Sequence, residues 1–136
     1  MDEVILTCDT HNKMLTEALF DYYKKEEMFD ATVCFEDGKI RAHKLILSAL
    51  SPKLAHVFKI DEETRHVYFT SISKSSMEYL IEYIYRGKVS VPSEALASVI
   101  EAAEYFQIKG FMSQNNGIEN KVLKGVENLP VMEVEK

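Results

Sequence analysis

The chain has 136 residues, of which 46% are hydrophobic, and a formal net charge of −6. That length and composition suit one domain with a real core, and the acidity argues against a grip on a phosphate backbone, which needs clustered Lys and Arg. The two cysteines, Cys8 and Cys34, lack the density and spacing of a secreted disulfide scaffold and point to a reducing compartment.

No apolar run approaches a membrane span, and the opening Met1-Asp2-Glu3 is acidic where a signal peptide would be basic. A soluble protein of the nucleus or cytoplasm is expected. Residues 4–8, Val-Ile-Leu-Thr-Cys, form a short β-prone run with no partner nearby in sequence. An unpaired apolar edge is a liability unless something pairs with it. Residues 11–27 turn helical, with Asp9, Thr10 or Asn12 as N-cap and Leu15, Ala18, Leu19 and Tyr22 at helical spacing. Phe20 projects from another side, so this helix should pack on its own core and on something else.

Phe29-Asp30-Ala31-Thr32-Val33-Cys34-Phe35 reads as a strand, with Cys34 as a small core hydrophobe. Asp37-Gly38 predicts a type I′ hairpin turn, with Ile40-Arg41-Ala42 returning. Residues 43–50 read as a short helix, apolar nearly all round and hence deeply buried. Ser51-Pro52 starts another helix, with Ser as N-cap and Pro at the first helical position. Residues 59–65 are polar and expected as an exposed loop, and His66-Val67-Tyr68-Phe69 is a third strand.

Residues 74–85 are the cleanest helix, with Met77, Leu80, Ile81 and Ile84 on one stripe and Gly87 as its C′ residue. Lys88-Val89-Ser90-Val91 alternates like a strand, and Pro92-Ser93 opens a helix whose stripe is Leu96, Val99, Ile100 and Ala103. Ile108 to Met112 can add a turn or two. The domain is thus expected over residues 1–113. Residues 114–136 read as a polar linker or disordered tail, or else as a segment that orders on a partner through Val131-Met132-Glu133-Val134. The sum is an α+β domain, a small β-sheet packed on a cluster of five to six helices.

No catalytic constellation, phosphate loop or metal-ligand spacing is visible, so neither an enzyme nor a cofactor is expected. His43 reads as a structural histidine bonded to backbone near a helix start.

The motif Phe29-Asp30-Ala31-Thr32-Val33, the run from Ile40 to Ala49, Ser51-Pro52, Tyr83-Ile84-Tyr85-Arg86-Gly87 and the run Ala102 to Gly110 together resemble a BTB/POZ domain over roughly residues 4 to 113. The short Asp-Gly hairpin and the Ile-Lys-Gly ending resemble the insect Tramtrack-type group. That group tends to open with Leu-Arg-Trp-Asn-Asn, where this chain has Leu6-Thr7-Cys8-Asp9-Thr10-His11-Asn12 and no Trp. The resemblance implies a protein–protein interaction module that homodimerises or heterodimerises with other BTB proteins, at the head of a nuclear transcription regulator carrying zinc fingers. It implies a dimer interface of Leu15, Leu19 and Tyr22, and a swapped strand, Val4, Ile5 and Leu6, laid against Val89 and Val91 of a second copy. It also places Asp30 and Lys44 in a partner groove where some repressors recruit corepressors. The residues alone allow a plainer role for that pair, Asp30 bonding backbone and Lys44 as an ordinary helix cation. A second function implied by the family is substrate adaptor for a cullin-type ubiquitin ligase, through the helix and loop from Leu54 to Glu63 and the end of the helix near Tyr83.

Overall fold

The computed structural model describes residues 2–111 and, as backbone, 132–135. The element order is α1 (His11–Lys24), β1 (Ala31–Phe35), β2 (Gly38–Ala42), α2 (Lys44–Leu50), α3 (Pro52–Ile60), β3 (His66–Phe69), α4 (Lys74–Arg86), a 3-10 turn (Ser93–Ala95), α5 (Leu96–Phe106) and β4 (Met132–Glu135). The sheet order is β2-β1-β3-β4. β1 and β2 form an antiparallel hairpin, β1 and β3 run parallel, and β3 and β4 run antiparallel. The parallel pair needs a crossover, and α2 and α3 supply it.

The core joins the sheet to the helices. Val33, Val67 and Phe69 from the strands meet Leu54, Val57, Met77, Leu80, Ile81, Ile100 and Phe106. Each such fully buried side chain contributes about 1.5–3 kcal/mol relative to exposure. The α4 stripe Met77, Leu80, Ile81 and Ile84 is buried throughout, and Gly87 ends the helix in the left-handed region at φ 79° with its N–H on the Tyr83 carbonyl at 2.7 Å. Ser51 caps α3 as its sequence predicts, accepting from Leu54 N–H at 3.1 Å. Its hydroxyl also donates to the Phe106 carbonyl at 2.7 Å, tying the start of α3 to the end of α5.

Four expectations are corrected. The β1–β2 turn is not type I′: Phe35 pairs with Gly38, and of the two residues between them neither Glu36 nor Asp37 has a positive φ. Gly38 instead sits at φ +152°, where a Cβ would lie 2.8 Å from the Lys74 side chain. The Asp37 carboxylate faces away from its own turn and accepts from the Lys74 N–H at 3.0 Å, serving the first turn of α4. Helix α2 is less buried than its composition suggests: Leu47 alone is fully enclosed, while Leu45 is 81% exposed.

Residues 4–8 and 88–91 carry no strand in the single chain, since neither has a neighbouring strand to complete its hydrogen bonds. Val89 and Val91 are half-buried and pack on the core instead. Past α5 no further helix forms through residue 111; Ile108 and Phe111 are buried, and Lys109 N–H bonds the Leu50 carbonyl at 2.8 Å. The linker or tail expected over residues 114–136 lies outside the described residues up to residue 131, and its end forms β4.

Candidate functional site

Helix α1 contains no fully buried residue, although it carries five large apolar or aromatic side chains between Met14 and Tyr23, namely Leu15, Leu19, Phe20, Tyr22 and Met14 itself, besides Tyr23. At 100° per residue these divide into two groups. Leu19, Phe20 and Tyr23 are half-buried against the core. Met14, Leu15 and Tyr22 are 57%, 50% and 43% exposed, with exposed Ala18 among them. Before the helix, Val4, Ile5 and Leu6 are 83%, 85% and 91% exposed. The first quarter of the chain thus presents apolar surface on two adjoining segments, a pattern that marks interaction sites when contiguous.

The inner group is held by aromatic contacts. The Tyr23 ring lies 4.8 Å from that of Tyr85 and 5.8 Å from that of Phe29, and the Phe20 ring lies 6.4 Å from that of Tyr85. The Arg86 guanidinium and the Lys24 ammonium each sit 5.2 Å from the Phe20 ring. These cations lie over the Phe20 ring, where its π-face attracts positive charge.

His43 anchors the segment that follows α1. Its Nε2 donates to the Glu27 carbonyl at 2.7 Å, because a carbonyl can only accept. Nδ1 lies 2.5 Å from the Tyr85 hydroxyl, which can donate to it when Nε2 carries the ring's only proton. The Tyr85 oxygen in turn accepts the His43 N–H at 3.2 Å. Burial pushes the Tyr85 phenol well above the usual tyrosine range, opposed in small part by that backbone bond. Burial raises Tyr23 as well. The expectation of a structural histidine bonded to backbone near the helix start agrees with this geometry, while its tyrosine partner, 42 residues away, carries no local sequence signal.

Asp30 and Lys44 are neighbours, but through backbone. The Asp30 carboxylate accepts from the Lys44 N–H at 2.7 Å and so satisfies one of the free donors at the start of α2. The Lys44 ammonium reaches elsewhere, donating to the Glu62 carbonyl at 2.8 Å and lying 5.6 Å from the Phe58 ring. The ion pairs found among the described residues are Asp21–Lys25 and Glu82–Arg86, both at 2.9 Å within single helices. The Lys25 ammonium holds the exposed Asp21 carboxyl below the usual range through its hydrogen bond.

Among the described residues no group of three His, Cys, Asp or Glu could hold a metal ion, and no helix is long and apolar enough to cross a membrane.

Comparison with known proteins agrees with this geometry. The sequence model of the BTB/POZ domain matches residues 19–120. The chain is 34% identical over 102 residues to Drosophila melanogaster protein tramtrack, alpha isoform, covering 73% of this chain and 12% of that protein. It is 30% identical over 112 residues to the Drosophila sex determination protein fruitless, covering 82% of this chain and again 12% of the relative. The chain therefore spans a small part of the length of the curated relatives it matches. Among solved structures, the BTB domain of zebrafish PATZ1 superposes with a TM-score of 0.75 at 19% identity, covering 90% of this chain and 98% of that one. The BTB domain of human gigaxonin follows with a TM-score of 0.71 at 19% identity, covering 89% of this chain and 98% of that one.

Proposed function

The chain belongs to the BTB/POZ domain family, whose members are protein–protein interaction modules, and on that premise we propose that it is the self-pairing module of a nuclear transcription regulator. The observation that carries this reading is α1, a helix with no fully buried residue and apolar side chains on two sides. One side serves the monomer. The other, Met14, Leu15, Ala18 and Tyr22 with Leu19 at its border, suits the same helix of a second copy, because a two-fold interface presents one patch to itself. Exposed Val4, Ile5 and Leu6 supply an extended segment that a second copy can pair beside its Val89 and Val91, giving both runs the neighbours they lack in one chain.

Pairing would double the valency of any DNA-binding module carried elsewhere in a longer protein, raising avidity by effective concentration. Other BTB domains with a matching first helix are candidate heterodimer partners. The Asp30 and Lys44 region remains a candidate partner groove, with the Asp30 carboxylate on the Lys44 N–H and the Lys44 ammonium on the Glu62 carbonyl.

Light scattering on the whole chain tests the proposal. We expect a dimer at micromolar concentration. Leu15→Asp should give a monomer with unchanged far-UV circular dichroism, because Leu15 is half exposed and lies outside the core. A wild-type monomer at that concentration refutes the reading.

A further inference from the structure

Without Met132–Glu135 the sheet would end on β2 at one side and β3 at the other, and these two edges differ in kind. The β2 edge carries Lys39 and Arg41, both exposed. Charged side chains on an edge strand discourage pairing with other chains. The β3 edge reads His66-Val67-Tyr68-Phe69, with Val67 and Phe69 buried and neither lysine nor proline in the strand. With β1 on one flank only, its other flank would present a row of free N–H and C=O groups over an apolar strand. That flank is where Met132–Glu135 pairs, antiparallel, with His66 opposite Glu135, Val67 opposite Val134, Tyr68 opposite Glu133 and Phe69 opposite Met132.

We propose that the outer edge of β3 is a strand-acceptor site, that its ligand is an extended segment alternating apolar and acidic residues, and that the chain's own Met132–Glu135 fills it. Three features support this choice of occupant. The segment alternates with period two, as a strand laid along a half-buried edge must. It is acidic at positions 133 and 135, and the acceptor strand is entered through exposed Arg65 and His66. Residues 112–131 tether it to the domain, so a four-residue strand with few contacts gains a high effective concentration it would lack as a free peptide. Main-chain hydrogen bonds provide the affinity in this mode, and alternate side-chain positions provide the selectivity. A short tethered strand is also exchangeable, so the same edge becomes open to an acidic extended segment of another protein when Met132–Glu135 leaves. The site uses none of the α1 residues and stands whether or not the domain pairs with itself.

Cross-linking of the full chain tests the register. In a Cys8→Ser, Cys34→Ala background, which removes the thiol that lies opposite position 68 on β1, Tyr68→Cys with Glu133→Cys should oxidise to a disulfide within one chain, identified by mass spectrometry. The offset pair Tyr68→Cys with Met132→Cys should oxidise at least tenfold more slowly. Equal rates, or disulfides only between chains, overturn the assignment of this occupant. A second measurement uses a labelled peptide of residues 130–136. Glu133→Pro removes a ladder N–H, and the full-length variant should bind the peptide at least tenfold more tightly than wild type, whose edge is filled. Equal binding to both proteins, or to neither, overturns the acceptor site.

Discussion

Ser51→Ala is the most informative single substitution in the core. The Ser51 hydroxyl is fully buried and makes two bonds, accepting from Leu54 N–H at 3.1 Å and donating to the Phe106 carbonyl at 2.7 Å. Losing the N-cap costs about 1 kcal/mol, within a range of about 0.5–2. Leaving the Phe106 carbonyl without its partner in the interior costs about 1–3 kcal/mol more. The sum is about 2–4 kcal/mol, or roughly 8–16 °C in Tm at about 4 °C per kcal/mol for a domain of this size. Ser51→Gly separates the two terms, because glycine is only a few tenths of a kcal/mol worse than serine as an N-cap. It should therefore lose about 1–3 kcal/mol, nearly all from the carbonyl. Urea unfolding at one fixed protein concentration measures both, the concentration being held because self-association shifts apparent stability. A Ser51→Ala protein within about 0.5 kcal/mol of wild type would refute the two-bond account.

Thr64 is fully buried, and its hydroxyl has no hydrogen-bond partner among the described residues. Thr64→Val keeps the shape and removes the unsatisfied group, so it should be neutral or stabilising by up to about 1 kcal/mol in the same urea assay, and a loss above that size would mean the hydroxyl is satisfied in solution. At high pH the buried phenols decide the outcome. Tyr85 and Tyr23 are raised in the folded state chiefly by burial, so the stability they contribute is complete below the unfolded tyrosine pKa of about 10 and drains away as pH rises above it toward their folded values. A spectrophotometric titration should show part of the phenolate absorbance appearing only as circular dichroism is lost; titration of all seven tyrosines before any unfolding would contradict it.

Much of the fold was legible locally. Helix α4 combines a period-3.6 stripe, a Ser73 cap accepting from Ser76 N–H, and Gly87 at its end, and each of these is written within a few residues of where it acts. The Ser51-Pro52 start of α3 is of the same kind. What failed were readings that depend on distant neighbours. Asp37-Gly38 has the local pattern of a self-contained turn, but the Asp37 carboxylate is taken up by α4, 37 residues on. Helix α2 looked deeply buried by composition, yet Leu45 faces outward, since hydrophobicity does not say how much core is left to cover it. Within α1 the apolar excess was visible, and which side meets the core was not. The assignment came from Tyr85, which collects Phe20, Tyr23 and His43 around one ring.

By itself, then, the amino-acid order determined the helices, the hairpin strands and the family, because capping, periodicity and β-propensity act over distances of a few residues. Only the tertiary structure decided the pairing of β1 with β3, the strand that covers the β3 edge, and the division of α1 into an inner and an outer face. Those depend on contacts between segments far apart in the chain, and a hydrogen bond or a buried face has no defined partner until the whole chain has folded around it.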